Sequence, residues 1–206
     1  MGIYRAGHGS LEVICGPMFS GKTTELIRRV ARAQIAKQRA QVFKPSIDSR
    51  YDSEKVVGHD SGCLKATPLD RPTEIFRHLY DNTRLVAIDE VQFFDNDIVV
   101  VVNKLACRGY RVVCAGLDLD YRGIPFGPLP GLLSIADEVS KIHAICTLCG
   151  AEASRTQRIV DSGDAVLLGE KEAYEARCRA HFEYFNEEEM LPLNEEIKAD
   201  WEAHPG

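Results

Sequence analysis

Near the start of the chain, Gly16-Pro17-Met18-Phe19-Ser20-Gly21-Lys22-Thr23 match the pattern G-x-x-x-x-G-K-[ST] at every fixed position. The two glycines allow the backbone to curl so that successive N–H groups point at phosphate oxygens. Lys22 is expected to bridge the outer phosphates and the Thr23 hydroxyl to hold Mg²⁺. A second constellation, Asp89-Glu90, follows the apolar run Leu85-Val86-Ala87-Ile88. Two adjoining carboxylates at a strand end suit a division of labour, with Asp89 at the metal and Glu90 accepting a proton from the nucleophile. A third is Cys146-Thr147-Leu148-Cys149 followed by Cys178-Arg179-Ala180-His181. C-x-x-C with C-x-x-H brings thiolates and an imidazole to one tetrahedral Zn²⁺, and a full protein ligand set makes that metal structural. A redox C-x-x-C or unrelated buried cysteines are the alternatives there, and His143, just before the first knuckle, is a spare ligand candidate.

The phosphate loop needs a strand before it and a helix after it. Residues 11–15 (LEVIC) are short, apolar and bounded by Gly16-Pro17, which predicts a buried strand. From Thr24 the apolar residues fall at helical spacing with basic residues between, which predicts an amphipathic helix over 24–40 whose N-terminal end adds positive potential at the phosphates. Strands follow at 41–43, 85–88 and 111–115, with helices at 72–80 and 98–106. Pro72 suits a helix start, and Asp95, Asn96 and Asp97 offer N-caps ahead of the valine-rich 98–106. Residues 46–59 are polar and charged and read as a long loop. This alternation predicts an α/β fold, a parallel sheet flanked by helices and built of right-handed crossovers. Acidic residues at a strand's carboxyl end then stand where such sheets bind ligands. The periodicity changes after residue 142, so the expected division is a nucleotide-binding domain over 1–143, a small zinc-binding domain over 144–185, and a flexible acidic tail over 186–206. The spacer over 150–177 is longer than a compact zinc ribbon needs and is expected to project as a loop.

At 206 residues, with 45% hydrophobic and 27% charged residues, the composition is that of an ordinary globular protein. A net charge of −6 argues against a broad face for a nucleic-acid polymer while leaving room for a mononucleotide. No apolar run reaches the length of a membrane span, residues 1–9 lack the apolar core of a secretion signal, and the seven cysteines are odd in number. A cytoplasmic protein with free thiols and metal ligands is expected rather than a disulfide framework.

The phosphate loop GPMFSGKT, the IDE-x-QFF segment, LDxDYRxxPFG and the C-terminal zinc knuckles, in this order, resemble the type II thymidine kinases over roughly residues 11–181. The resemblance implies transfer of the γ-phosphate of ATP to the 5′-hydroxyl of thymidine or deoxyuridine. It implies Glu90 as proton acceptor, Asp89 and Gln92 as neighbouring nucleotide-site residues, and Asp48 and Arg50 in a segment approaching the phosphates. A guanidinium at Arg50 suits the charge spread over a transferring phosphoryl group. The nucleoside pocket implied by the resemblance uses Met18, Phe93, Leu117, Tyr121, Phe126, Thr156 and Tyr174. A lasso between the zinc knuckles is implied to close over the base through backbone atoms of Ala165, Val166, Leu167, Leu168 and Gly169. A homotetramer and feedback inhibition by thymidine triphosphate are implied as well. The chain departs from the family pattern at His181, where many members carry a fourth cysteine, and at Gly169-Glu170, where many have Gly-Gly. Two readings compete with this one: a P-loop ATPase or GTPase switch that uses water as nucleophile, and a zinc-ribbon nucleic-acid-binding module with an incidental nucleotide site.

Overall fold

The computed structural model describes residues 8–47, 55–57, 63–160 and 173–184. Six strands form one sheet in which every neighbouring pair is parallel. They are β1 (Ser10–Cys15), β2 (Arg39–Pro45), β5 (Thr67–Leu69), β6 (Thr83–Ile88), β7 (Arg111–Gly116) and β8 (Glu138–Lys141), in the order β5-β2-β6-β7-β1-β8. Both faces are covered. Ile14, Leu85, Ala87, Val113 and Ala115 pack against Leu26, Ile27, Val30 and Ala33 of α1 (Lys22–Ile35). On the other face Leu11, Val13, Val86, Ile88, Val112 and Cys114 meet α3 (Asp97–Cys107) and α4 (Leu129–Ile135). Leu26, Val30, Leu85 and Val113 are fully enclosed, and each such side chain contributes about 1.5–3 kcal/mol through the water it sheds. The alternation of neighbours along β6 is that of a central strand, with successive side chains going to opposite layers.

One charged cluster lies within the α1 layer. Glu12 of β1 is 1% exposed and accepts from Arg29 Nη1 at 2.6 Å and from Arg111 Nε and Nη2 at 2.6 and 3.0 Å. Arg29 also donates to Glu25 at 2.9 Å and to Ser140 at 2.7 Å. The first strand, first helix, β7 and the edge strand β8 are thus joined by buried charge as well as by apolar contact.

The observed elements differ from the expected ones in ways that have local causes. The helix predicted over 24–40 stops at Ile35, because Lys37 turns left-handed (φ 57°). Gln38 N then donates to Ala33 O and Lys37 N to Gln34 O, both at 2.9 Å, closing a Schellman end without the usual glycine. The helix predicted over 72–80 divides into a 3₁₀ turn, Pro72–Glu74, and one α turn, α2 (Ile75–His78). The loop predicted over 46–59 contains a strand, β3 (Lys55–Val57), paired antiparallel with β4 (Cys63–Lys65). The valine-rich segment is helical as expected. After β8 come two small antiparallel pairs, β9 (Ala144–Ile145) with β10 (Glu152–Ala153), and β11 (Arg155–Arg158) with β12 (Tyr174–Arg177). No helix among the described residues is long and apolar enough to cross a membrane.

Candidate active site

The carboxyl edge of the sheet gathers the chemistry. The chain leaves β1 at Cys15, turns through the phosphate loop and enters α1 at Lys22. Gly16 (φ 144°) permits this turn, since a Cβ there would lie 2.1 Å from Ile142 O. Ile142 N donates to Cys15 O at 2.8 Å, so the chain leaving β8 clamps the base of the loop. Within the loop, Ser20 Oγ and Lys22 Nζ both donate to Pro17 O, at 2.8 and 2.7 Å. The lysine therefore lies across the loop it belongs to, over the backbone that would face a phosphate.

β6 ends beside this loop and delivers Asp89. Its Oδ2 accepts from Thr23 Oγ1 at 3.1 Å and its Oδ1 from Glu90 N at 3.0 Å. Burial, reinforced by the Glu90 charge, pushes the Asp89 carboxyl up to about 7, against the lowering effect of Glu90 N–H, Thr23 and Lys22. The next residue, Glu90, is a non-glycine in the left-handed region (φ 50°, ψ 38°), followed at once by a 3₁₀ turn, Val91–Phe93. Gln92 is 2% exposed; its Nε2 donates to Glu90 Oε2 at 2.5 Å and its Oε1 accepts from Leu117 N at 3.1 Å. Thr23, Asp89, Glu90 and Gln92 thus form one hydrogen-bonded chain from the phosphate loop to the end of β7.

The residues expected to line a nucleoside pocket are brought together by pairs. Met18 N donates to Thr156 Oγ1 at 3.0 Å. Thr156 and Arg158 share β11, and Arg158 pairs in register with Tyr174. The Arg158 guanidinium stacks over the Tyr121 ring with 5.0 Å to the centroid. Tyr121 belongs to the turn after β7, which returns at Phe126, whose ring meets Phe93 edge-on at 5.7 Å. Leu117, half-buried, is tied to Gln92. Asp48, Arg50 and the residues from Ala165 to Gly169 lie outside the described residues, as does the acidic tail.

An ion pair between residues distant in sequence stands at the same edge. Asp118, 6% exposed, lies 2.7 Å from Lys141 Nζ. Burial pushes the neighbouring Cys15 thiol up to about 11, with Asp118 adding to the shift and Lys141 and Lys22 opposing it. In the sequence, Asp118 follows the apolar strand over 111–115 much as Asp89 follows the strand over 85–88.

The cysteine constellation closes on itself. Cys146 N donates to Ala151 O and Gly150 N to Cys146 O, at 2.8 and 2.9 Å, forming the first knuckle, while His181 N donates to Cys178 O at 3.1 Å in the second. The ligand atoms of Cys146, Cys149, Cys178 and His181 all lie within 4.8 Å of one another. Cys149 Sγ is 3.8 Å from Cys178 Sγ, and Cys178 Sγ is 3.2 Å from His181 Nδ1. Four ligands about 2.3 Å from one tetrahedral ion stand about 3.8 Å apart, so this set fits zinc. Backbone N–H groups, first that of Cys178 and then those of Leu148 and Cys149, hold the Cys146 thiol down to about 6, favouring the thiolate a metal requires. His143 is turned to Glu152 at 3.4 Å, so His181 is the imidazole of the cluster.

One chain thus carries a phosphate-loop motif, an acid pair hydrogen-bonded to it at the adjoining strand end, and a compact cluster of three cysteines and a histidine. A family model described as thymidine kinase matches residues 9–182, and the chain, a kinase, belongs to the thymidine kinase family.

Proposed function

We propose that this enzyme transfers the γ-phosphate of ATP to the 5′-hydroxyl of thymidine, and also of deoxyuridine, giving the 5′-monophosphate and ADP for DNA precursor synthesis. The observation that carries this reading is the Thr23–Asp89 hydrogen bond of 3.1 Å, which joins the phosphate loop to the strand end bearing Glu90. The backbone over 16–23 and Lys22 receive the phosphates, Lys22 exchanging Pro17 O for phosphate oxygen. Arg50 and Asp48 approach from the segment after β2. Thr23 and Asp89 would hold Mg²⁺, and a divalent cation there also offsets the repulsion between Asp89 and Glu90 that burial magnifies. When bound, Mg²⁺ neutralises charge on the transferring phosphoryl group.

Glu90 accepts the proton of the 5′-hydroxyl as the oxygen forms its bond to the γ-phosphorus. The bond from that phosphorus to the β–γ bridging oxygen breaks, and the electron pair leaves with ADP. Met18, Phe93, Leu117, Tyr121, Phe126, Thr156 and Tyr174 present thioether, aliphatic and aromatic surface to the pyrimidine. The residues from Ala165 to Gly169 close over the base through their backbone. Residues 144–185 act as a zinc-held domain that carries this loop, beside the nucleotide-binding domain over 1–143. Cytoplasmic homotetramers inhibited by thymidine triphosphate complete the reading.

The test is phosphate transfer across the natural nucleosides with wild type and Glu90→Gln. Thymidine-dependent turnover is expected, and Glu90→Gln should keep ADP binding while losing most transfer. Nucleoside-independent ATP hydrolysis at full rate would favour the switch reading instead. Near-normal turnover by Glu90→Gln would remove Glu90 as base.

A further inference from the structure

Gln92 is oriented from both ends. Its Oε1 accepts from the Leu117 main-chain N–H, which can meet only the amide oxygen, so its nitrogen must face Glu90 Oε2. The fold keeps a socket for this side chain. A Cβ on Gly116 would lie 2.7 Å from Gln92 Oε1 and 2.8 Å from Val91 Cγ1. A Cβ on Gly127, itself at φ 50°, would lie 2.5 Å from the Gln92 main-chain oxygen. Gln92 is also 2% exposed, which leaves little of it for a ligand to touch. The residue it grips stands in the left-handed backbone region (φ 50°), a strained conformation for a glutamate that persists where surrounding contacts over-determine it.

We propose that Gln92 is a positioning residue that holds the Glu90 carboxylate toward the acceptor hydroxyl, acting through Glu90 rather than on the nucleotide. The inference rests on the reading of Glu90 as base. Pinning Oε2 limits how far the carboxylate can rotate. Because the other end of the amide is held by Leu117, the position of Oε2 is referred to the strand end from which the Tyr121–Phe126 turn departs. A base so placed meets the 5′-hydroxyl without having to search its own rotamers.

The experiment compares Gln92→Met, Glu90→Gln and the double variant, with kcat and KM for ATP and for thymidine, ADP binding, and thermal melting to verify folding. Gln92→Met should lower kcat about 100-fold, the cost of a misplaced group, with both KM values within about twofold of wild type. In the Glu90→Gln background the same substitution should change kcat by less than about twofold, since two residues acting as a unit are not additive. Gly116→Ala retains the Gln92 side chain but forces its Oε1, and Val91 Cγ1 beside it, to shift, and should lower kcat in the same way; it carries the test if Gln92→Met fails to fold. A tenfold rise in the KM for ATP with unchanged kcat would overturn the proposal in favour of nucleotide contact. So would a full 100-fold loss on top of Glu90→Gln. An active Glu90→Gln would remove the base itself, whereas inactive Glu90→Gln beside fully active Gln92→Met would remove only the positioning role.

Discussion

Thr156→Val tests whether strand β11 helps to shape the phosphate loop. The Thr156 hydroxyl is 4% exposed as a residue and accepts the Met18 N–H at 3.0 Å, across 138 positions of sequence. Valine keeps the shape and removes the acceptor, leaving a main-chain N–H in the middle of the phosphate loop facing a methyl group. Losing one partner of a neutral buried hydrogen bond costs about 1–3 kcal/mol, and Met18 is half-buried, which places the cost at about 1–2 kcal/mol. If nucleotide must restore the loop geometry that Thr156 otherwise maintains, this cost is taken from binding, and ADP affinity falls about 5- to 30-fold. Titration calorimetry with Mg·ADP measures it directly. Thr156→Ser, which retains the hydroxyl, should stay within about threefold of wild type. Wild-type ADP affinity in Thr156→Val, with only thymidine binding weakened, would refute the reasoning and leave the hydroxyl as a nucleoside contact alone.

Other perturbations probe the remaining parts. Metal analysis should find about one zinc per chain, and Cys178→Ala should lose it and weaken thymidine binding more than ADP binding; equal weakening of both would count against a link between the cysteine cluster and nucleoside binding. Glu12→Gln strips the charge from a cluster holding Arg29 and Arg111 at 2.6 Å, and should lower the unfolding free energy by about 3 kcal/mol or more in urea titrations; a change below about 1 kcal/mol would show that the arginines find other partners. Glu25 is held from the ordinary 4.5 down to about 2, first by its hydrogen bond from Arg28 and further by Arg29. A carboxyl depressed in the folded state stabilises fully above 4.5 and loses that contribution as pH falls toward 2, so the stability gap between wild type and Glu25→Gln should narrow through that window. A gap that stays constant on acidification would remove Glu25 as its source.

The parts of the site that could be read in the sequence are those whose chemistry is local. The phosphate loop, Asp89-Glu90 and the two knuckles each declare themselves within a few residues. Helix α3 was legible despite its valines because polar residues precede it and Arg108-Gly109 follow it, although Asn96 makes no side-chain cap. The end of α1 was not, because its left-handed cap is Lys37, a residue that gives no turn signal. β8 escaped because three of the four residues in Glu-Val-Ser-Lys are exposed, so an edge strand carries no apolar period. Helix α4 was hidden by Pro128 and Pro130, which read as loop but here sit at the N-terminal turn, where a missing N–H costs nothing. The tethers that complete the site, Met18 to Thr156 and Gln92 to Leu117, join segments distant in sequence through main-chain groups, and side-chain identity alone cannot announce them.

Glu90 carries a consequence for how such an enzyme can be altered. Its left-handed backbone (φ 50°) and its position beside the buried Asp89 both cost folding energy. Asparagine adopts that backbone more readily and removes the neighbouring charge. Glu90→Asn relieves both costs but gives up the hydrogen bond from Gln92 Nε2, and should melt no lower than wild type while transferring almost no phosphate. Selection for heat resistance alone would let this position drift toward an inert protein, and any stabilised variant of this kinase must be sorted by turnover before its melting temperature is counted a gain.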